Sequence, residues 1–147
     1  MSVWGIAQPF AIPPIVTAGS DVVVTAGTET NVLSSATLVA TNIGNWYPFI
    51  VGVAAVLLGA TPPTALVVAV RIGAAADFDT YTVAPAVLTA NATLMIPLAF
   101  VGANSKTQWN PGGGGVINVT LLSTAQNVTL KAVGSRAVMA LNLGTDT

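Results

Sequence analysis

The sequence contains no cysteine and no histidine. Without cysteine there is no disulfide framework and no thiol chemistry, and without histidine the chain lacks the usual general base and the commonest metal ligand. The one close acidic pair, Asp77 and Asp79, has no further oxygen ligands nearby in sequence, whereas calcium takes about six to eight. We therefore predict a protein that is not an enzyme, with no catalytic residues, no metal and no cofactor.

Charge is also scarce. Charged side chains make up 6 % of the 147 residues, with a net charge of -1, against roughly 25 % in an average soluble domain. A free monomer normally stays soluble through its charge, so we infer that other protein covers much of this surface. A monomer with a neutral, hydroxyl-rich surface is the alternative. The four basic residues are scattered along the chain and form no basic stripe, so no nucleic-acid partner is predicted.

No apolar run has the length of a membrane-spanning helix. Such a helix needs roughly 20 apolar residues in succession, but the run at 49–60 stops at Pro62 and Pro63, and the next run carries Arg71. No basic segment precedes an apolar one at the N-terminus, as it does in a signal peptide. We expect no signal peptide and no membrane partner.

Two apolar runs, at 46–59 and 65–72, flank the Pro-Pro turn and are the most distinctive part of the sequence. Such runs are typical of strands that are buried on both faces. We expect one face to pack inside the domain and the other to meet a neighbouring subunit. The outward residues are one of two alternating sets: Val51, Val53 and Leu57, or Leu66, Val68 and Val70.

Short β-branched segments separated by turn residues predict eight or nine strands. Residues 92–101 are predicted to be a strand that breaks at Pro97, and Gly134-Ser135 a tight turn between the last two strands. We predict an all-β fold, an antiparallel, jelly-roll-like β-sandwich of about eight strands at 19–147. The immunoglobulin-like alternative is usually smaller, and its Cys-Trp-Cys signature is missing.

Residues 1–18 are predicted to form an extended N-terminal arm, because their prolines disfavour helix. The arm is apolar, and it either lies on a neighbouring subunit or folds back on its own sandwich. Tryptophan is enriched at interface hot spots. The residues predicted to contact a partner or another subunit are Trp4, Ile6, Phe10, Ile12, Trp46 and Trp109.

The strand pattern, the apolar arm and the low charge together resemble the small β-sandwich decoration (cement) proteins of tailed-phage capsids. More loosely, they resemble the trimeric tumour-necrosis-factor-like jelly rolls. The resemblance extends over the whole chain and involves no motif. It implies a structural virion protein on the outer capsid surface, a homo-oligomer and preferably a trimer. Its partners would be the major capsid protein or other shell subunits, bound and stabilised through apolar contacts.

Two alternatives stay open. The first is an oligomeric binding module, a fibre head or carbohydrate-binding sandwich, in which the loop at 102–115 presents Trp109 as a stacking platform. That loop lacks the Lys-Ser/Thr of a phosphate-binding loop and is followed by a strand. The second is a small single-jelly-roll major capsid protein, which would assemble into closed particles by itself.

Overall fold

The computed structural model describes residues 10–11, 16–34, 46–72, 80–101 and 117–143. Within these ranges the chain forms ten strands and one 3-10 turn, at Pro85–Val87. The strands are β1 (Phe10–Ala11), β2 (Val16–Thr17), β3 (Val22–Val24), β4 (Thr30–Ser34), β5 (Trp46–Leu58), β6 (Ala65–Ile72), β7 (Thr80–Thr82), β8 (Thr93–Val101), β9 (Ile117–Thr124) and β10 (Val128–Leu143).

The strands form two antiparallel sheets that pack face to face. In the first sheet, β10 lies between β5 and the short strands β1, β2 and β3, and β8 forms the far edge. In the second sheet the order is β4-β9-β6-β7. The short strand β2 pairs with both β10 and β4, so it joins the two sheets along one side. The predicted all-β, antiparallel, jelly-roll-like sandwich is confirmed.

Side-chain alternation along β5 and β6 shows which residues face the core. Leu66, Val68 and Val70 of β6 have no exposed surface, whereas Val51 of β5 is 61 % exposed and Leu57 is partly exposed. Because successive side chains of a strand point to opposite faces, the odd-numbered residues at 51–57 of β5 face outward and the even-numbered residues at 66–70 of β6 face inward. The largest core side chains come from both sheets: Leu33, Ile50, Leu58, Leu66, Leu98, Ile117, Leu121 and Leu130.

The edge strand β8 runs unbroken through Pro97, so the predicted break at this residue is wrong. The N–H of Leu58 donates to the carbonyl oxygen of Ala92 at 2.9 Å, which makes the even-numbered residues of β8 those that exchange hydrogen bonds with β5. Pro97 is odd-numbered, and its nitrogen therefore faces the open edge of the sheet. Proline is tolerated at that position because no ladder donor is needed there.

Tyr81 of β7 connects the edges of the two sheets. Its hydroxyl donates to the carbonyl oxygen of Pro97 at 2.6 Å, and its ring centroid lies 5.7 Å from that of Phe100 in β8. Burial raises the pKa of Tyr81 to about 12. The hydroxyl therefore remains a hydrogen-bond donor at any pH at which the protein is handled.

β10 passes so close to β5 that position 52 has space only for glycine. A Cβ atom added to Gly52 would lie 2.2 Å from the carbonyl oxygen of Arg136 and 2.5 Å from the Cα of Ala137. Both are backbone atoms of the central strand, and they cannot move without disturbing the ladder between β5 and β10. The glycine is therefore required for these two strands to pair.

We expect Gly52→Ala to lower the free energy of unfolding by about 3 kcal/mol or more, at or above the usual range for an over-packed core, because the clash is with backbone. Gly59→Ala is the matched control, since a Cβ there would meet nothing closer than 3.8 Å. Urea unfolding followed by tryptophan fluorescence measures both. Equal losses of stability in the two variants would contradict the close approach at Gly52.

Candidate protein-docking surface

Of the predicted interface residues, two lie in strands of the first sheet. Phe10 of β1 pairs with Asn142 of β10, and Trp46 at the start of β5 pairs with Leu143. Two pieces of the predicted arm, β1 and β2, thus pair with β10 of the same chain. The other four predicted residues lie outside the described ranges: Trp4, Ile6, Ile12 and Trp109. The loop at 102–115 also lies outside them.

The outer face of the first sheet, meaning the outward side chains of β3, β10, β5 and β8, carries the large apolar side chains that are exposed on the described strands. Directly paired residues cross this face in four rows. Among the positions whose side chains the structure describes, the rows read Val138–Val51–Ala99, Arg136–Val53–Pro97, Lys131–Ala55–Met95 and Thr129–Leu57–Thr93, with Val23 of β3 beside Thr129.

Large apolar side chains on this outer face are open to solvent. They are between 38 % and 61 % exposed: Val23, Val51, Leu57, Met95 and Val138. With about 3.4 Å per residue along a strand and about 4.8 Å between strands, the four rows cover about 400 Å². Their apolar positions, together with Val23, account for about 300 Å² of this area. Contiguous apolar patches of about 300–600 Å² are the largest that ordinary monomers carry, and they are often functional.

The outer face of the second sheet differs because its polar groups are satisfied within the chain. Glu29 accepts hydrogen bonds from Nε of Arg71 at 2.8 Å and from the Thr120 hydroxyl at 2.6 Å. The hydroxyl of Ser34 donates to Oδ1 of Asn118 at 2.6 Å. The hydrogen bond from Arg71, followed by that from Thr120, lowers the pKa of Glu29. The two faces of the sandwich therefore have opposite character.

β10 departs from its ladder with β5 near the middle of the outer face. Lys131 pairs with Ala55 and Arg136 with Val53, so the four residues at 132–135 lie opposite a single residue of β5. We call this segment the β10 bulge. The predicted tight turn at this place is wrong, because β10 continues on both sides of the bulge as one strand. A glycine beside a small polar residue in a β-branched run is compatible with either a turn or a bulge.

The β10 bulge is held at both ends by side chains. The Ser135 hydroxyl, which is buried, accepts a hydrogen bond from the N–H of Ala55 at 2.8 Å and so replaces a ladder bond. Asp21 accepts a hydrogen bond from the N–H of Ala132 at 2.8 Å and forms an ion pair with Lys131. The bulge is therefore a fixed structure with its own anchors, as expected of bulges that direct a side chain.

Val133 lies at the tip of the β10 bulge and is 88 % exposed. The turn of the bulge depends on Gly134, whose φ of +95° is in the region that side chains disfavour. A Cβ on Gly134 would lie 3.3 Å from the Cβ of Ala55 and 3.9 Å from the methyl carbon of Met95, both on the outer face. The bulge thus lies over Ala55 and presents Val133 from the apolar side of the first sheet.

No group of three or more acidic, histidine or cysteine side chains in the described ranges is arranged to bind a metal ion. The acidic pair Asp77 and Asp79 lies outside these ranges. Among the helical segments that the structure describes, none has the length and apolar character needed to cross a membrane.

Comparison with known proteins assigns the chain to no family. No protein-family model matches the chain, and no curated protein matches it. Among solved structures, the chain is similar to one titled Eiger TNF from S. frugiperda, with 11 % identity, a TM-score of 0.48, and coverage of 95 % of this chain and 96 % of that one. At this level of similarity the likeness says nothing about what the present chain binds.

We expect Ser135→Ala to lower the free energy of unfolding by about 1–3 kcal/mol, because it leaves the buried N–H of Ala55 without an acceptor. Ser20→Ala is the matched control, since Ser20 is exposed. Chemical denaturation at neutral pH compares the two variants. A loss no greater in Ser135→Ala than in the control would show that this hydroxyl does not support the bulge.

The lowered pKa of Glu29 predicts a loss of stability in acid. In the unfolded chain this carboxyl titrates near 4.5, so its pairing with Arg71 stabilises the fold above that pH, and this contribution disappears as the pH falls through the lower folded pKa. We expect the urea midpoint to decline below pH 4.5 and to decline less in Glu29→Gln. Parallel midpoint–pH profiles for the two proteins would contradict the role assigned to the ion pair.

Proposed function

We propose that this chain is a non-enzymatic structural protein of a virion, which decorates the outer surface of a capsid and helps to hold its shell together. The observation that supports the proposal is the apolar outer face of the first sheet, with Val51 and Val138 paired at one end of it and both exposed. Covering apolar surface of this extent with protein removes it from water, which lowers the free energy of the system.

The size of the outer face favours attachment at several points over a single tight contact. Burying about 300 Å² of apolar surface at roughly 25 cal/mol per Å² contributes about 7–8 kcal/mol of favourable binding free energy. Association costs roughly 4–15 kcal/mol, because the two proteins lose translational and rotational freedom. A single patch therefore gives weak binding. A homo-oligomer such as the expected trimer carries several patches, and once the first is bound the others bind at high effective concentration.

The second sheet supports an orientation in which its own outer face points away from the shell. The carboxylate of Glu29 is already paired with Arg71 and Thr120, and the Ser34 and Asn118 side chains bond to each other. Such a face needs no partner to satisfy its polar groups. The first sheet then lies against the shell, and the second sheet faces outward.

The proposal is tested by binding to capsid shells that have been stripped of this protein, measured by co-sedimentation. We expect Val51→Asp to weaken binding at least about tenfold, because burying an unpaired carboxylate costs more than the ~1.4 kcal/mol that this factor represents. Val87→Asp is the matched control, since Val87 is also exposed but lies on the 3-10 turn.

Equal binding by the two aspartate variants would contradict a role for the outer face. A wild-type protein that remains monomeric and ignores the shells would contradict the structural role as a whole. Assembly of the purified protein into closed particles would instead support the major-capsid alternative.

A further inference from the structure

The β10 bulge carries an apolar side chain that is both highly exposed and held in a fixed position. Val133 is the most exposed large apolar side chain in the described part of the chain. The segment that carries it is held by Asp21 at its start and by Ser135 at its end. A side chain presented on a pre-ordered segment loses little conformational entropy when a partner covers it.

Arg136 follows the bulge directly and lies on the same face, in the row with Val53 and Pro97. In the described ranges the two acidic residues are already engaged, Glu29 with Arg71 and Asp21 with Lys131. Arg136 is exposed and forms no ion pair within those ranges. If a partner covers the outer face, this guanidinium leaves water and needs a carboxylate in return.

We propose that the β10 bulge is the recognition element of the outer face. Val133 enters an apolar pocket on the shell protein, and Arg136 pairs with an aspartate or glutamate at the rim of that pocket. This inference rests on the proposed function, because the partner it names is the shell protein. It adds the chemistry that the partner must have: an apolar depression bordered by a carboxylate.

The charges on the outer face disfavour a second copy of the chain as the occupant. Lys131 and Arg136 occupy the two middle rows, and both lie on β10. A two-fold, face-to-face dimer repeats the same patch on both sides. Lys131 is already paired with Asp21, but the dimer would bring the two Arg136 side chains to one interface, with no carboxylate of the described ranges to pair them, while removing water from around them. Like charges across an interface are strongly unfavourable, whereas an acidic partner complements this arrangement.

The experiment measures binding of the full chain to stripped shells at low and at moderate salt, for wild type and four variants. We expect Val133→Ser and Arg136→Gln each to weaken binding about tenfold, as loss of an interface hot spot does. Arg136→Lys should bind more tightly than Arg136→Gln, because it retains the charge. The loss of affinity with added salt should be smaller in Arg136→Gln than in wild type. Val87→Ser is the matched control and should bind as wild type does.

The outcomes separate this inference from the proposed function. If wild type binds shells and Val51→Asp weakens binding, while Val133→Ser and Arg136→Gln do not, the bulge is not the recognition element but the structural role stands. If wild type does not bind shells at all, both proposals are overturned. If Val133→Ser and Arg136→Gln instead change the mass of the purified protein in sedimentation equilibrium, the occupant is a second copy, which overturns the inference.

Discussion

The antiparallel pairing of β5 with β10 is the interaction on which the rest of the sandwich depends. β10 carries β1, β2 and β3 on its other side, and β5 carries β8, so every strand of the first sheet is placed by this one ladder. The ladder requires the close backbone approach at Gly52 and accommodates the surplus residues of β10 as a bulge. The proposed docking surface and the core share this strand pair, since its outer side carries the exposed apolar rows and its inner side closes the core.

The sequence predicted the class of fold because β-branched residues and turn residues alternate at short intervals. β6 begins and ends where its apolar run does, at Ala65–Ile72. The errors have a common physical cause, which is that register is invisible in a single sequence. Whether Pro97 breaks a strand depends on which way its nitrogen faces, and whether Gly134-Ser135 forms a turn or a bulge depends on whether one partner strand continues past it.

The candidate surface was only half predictable. Alternation showed that Val51, Val53 and Leu57 share a face, but it did not show whether that face lies inside or outside, because both faces of β5 are apolar. The predicted interface residues were tryptophans and apolar residues of the N-terminal arm, while the exposed apolar surface of the described strands consists of Val, Leu and Met on paired strands. Such a surface emerges only when β10, β5 and β8 are placed side by side. The exposed position of Val133 depends in addition on the β10 bulge, and the sequence around Gly134-Ser135 is compatible with either a bulge or a turn.

The contact between Tyr81 and Pro97 affects how readily another strand can add to the open edge of β8. The unpaired N–H and C=O groups at a free sheet edge can pair with a strand of another molecule, and repeated addition of this kind leads to aggregation. Midway along β8, Pro97 offers the open edge no N–H, and its carbonyl oxygen is already occupied by the Tyr81 hydroxyl. A strand of another molecule that adds to β8 would therefore find no hydrogen-bond partners at the middle of this edge, which disfavours such addition.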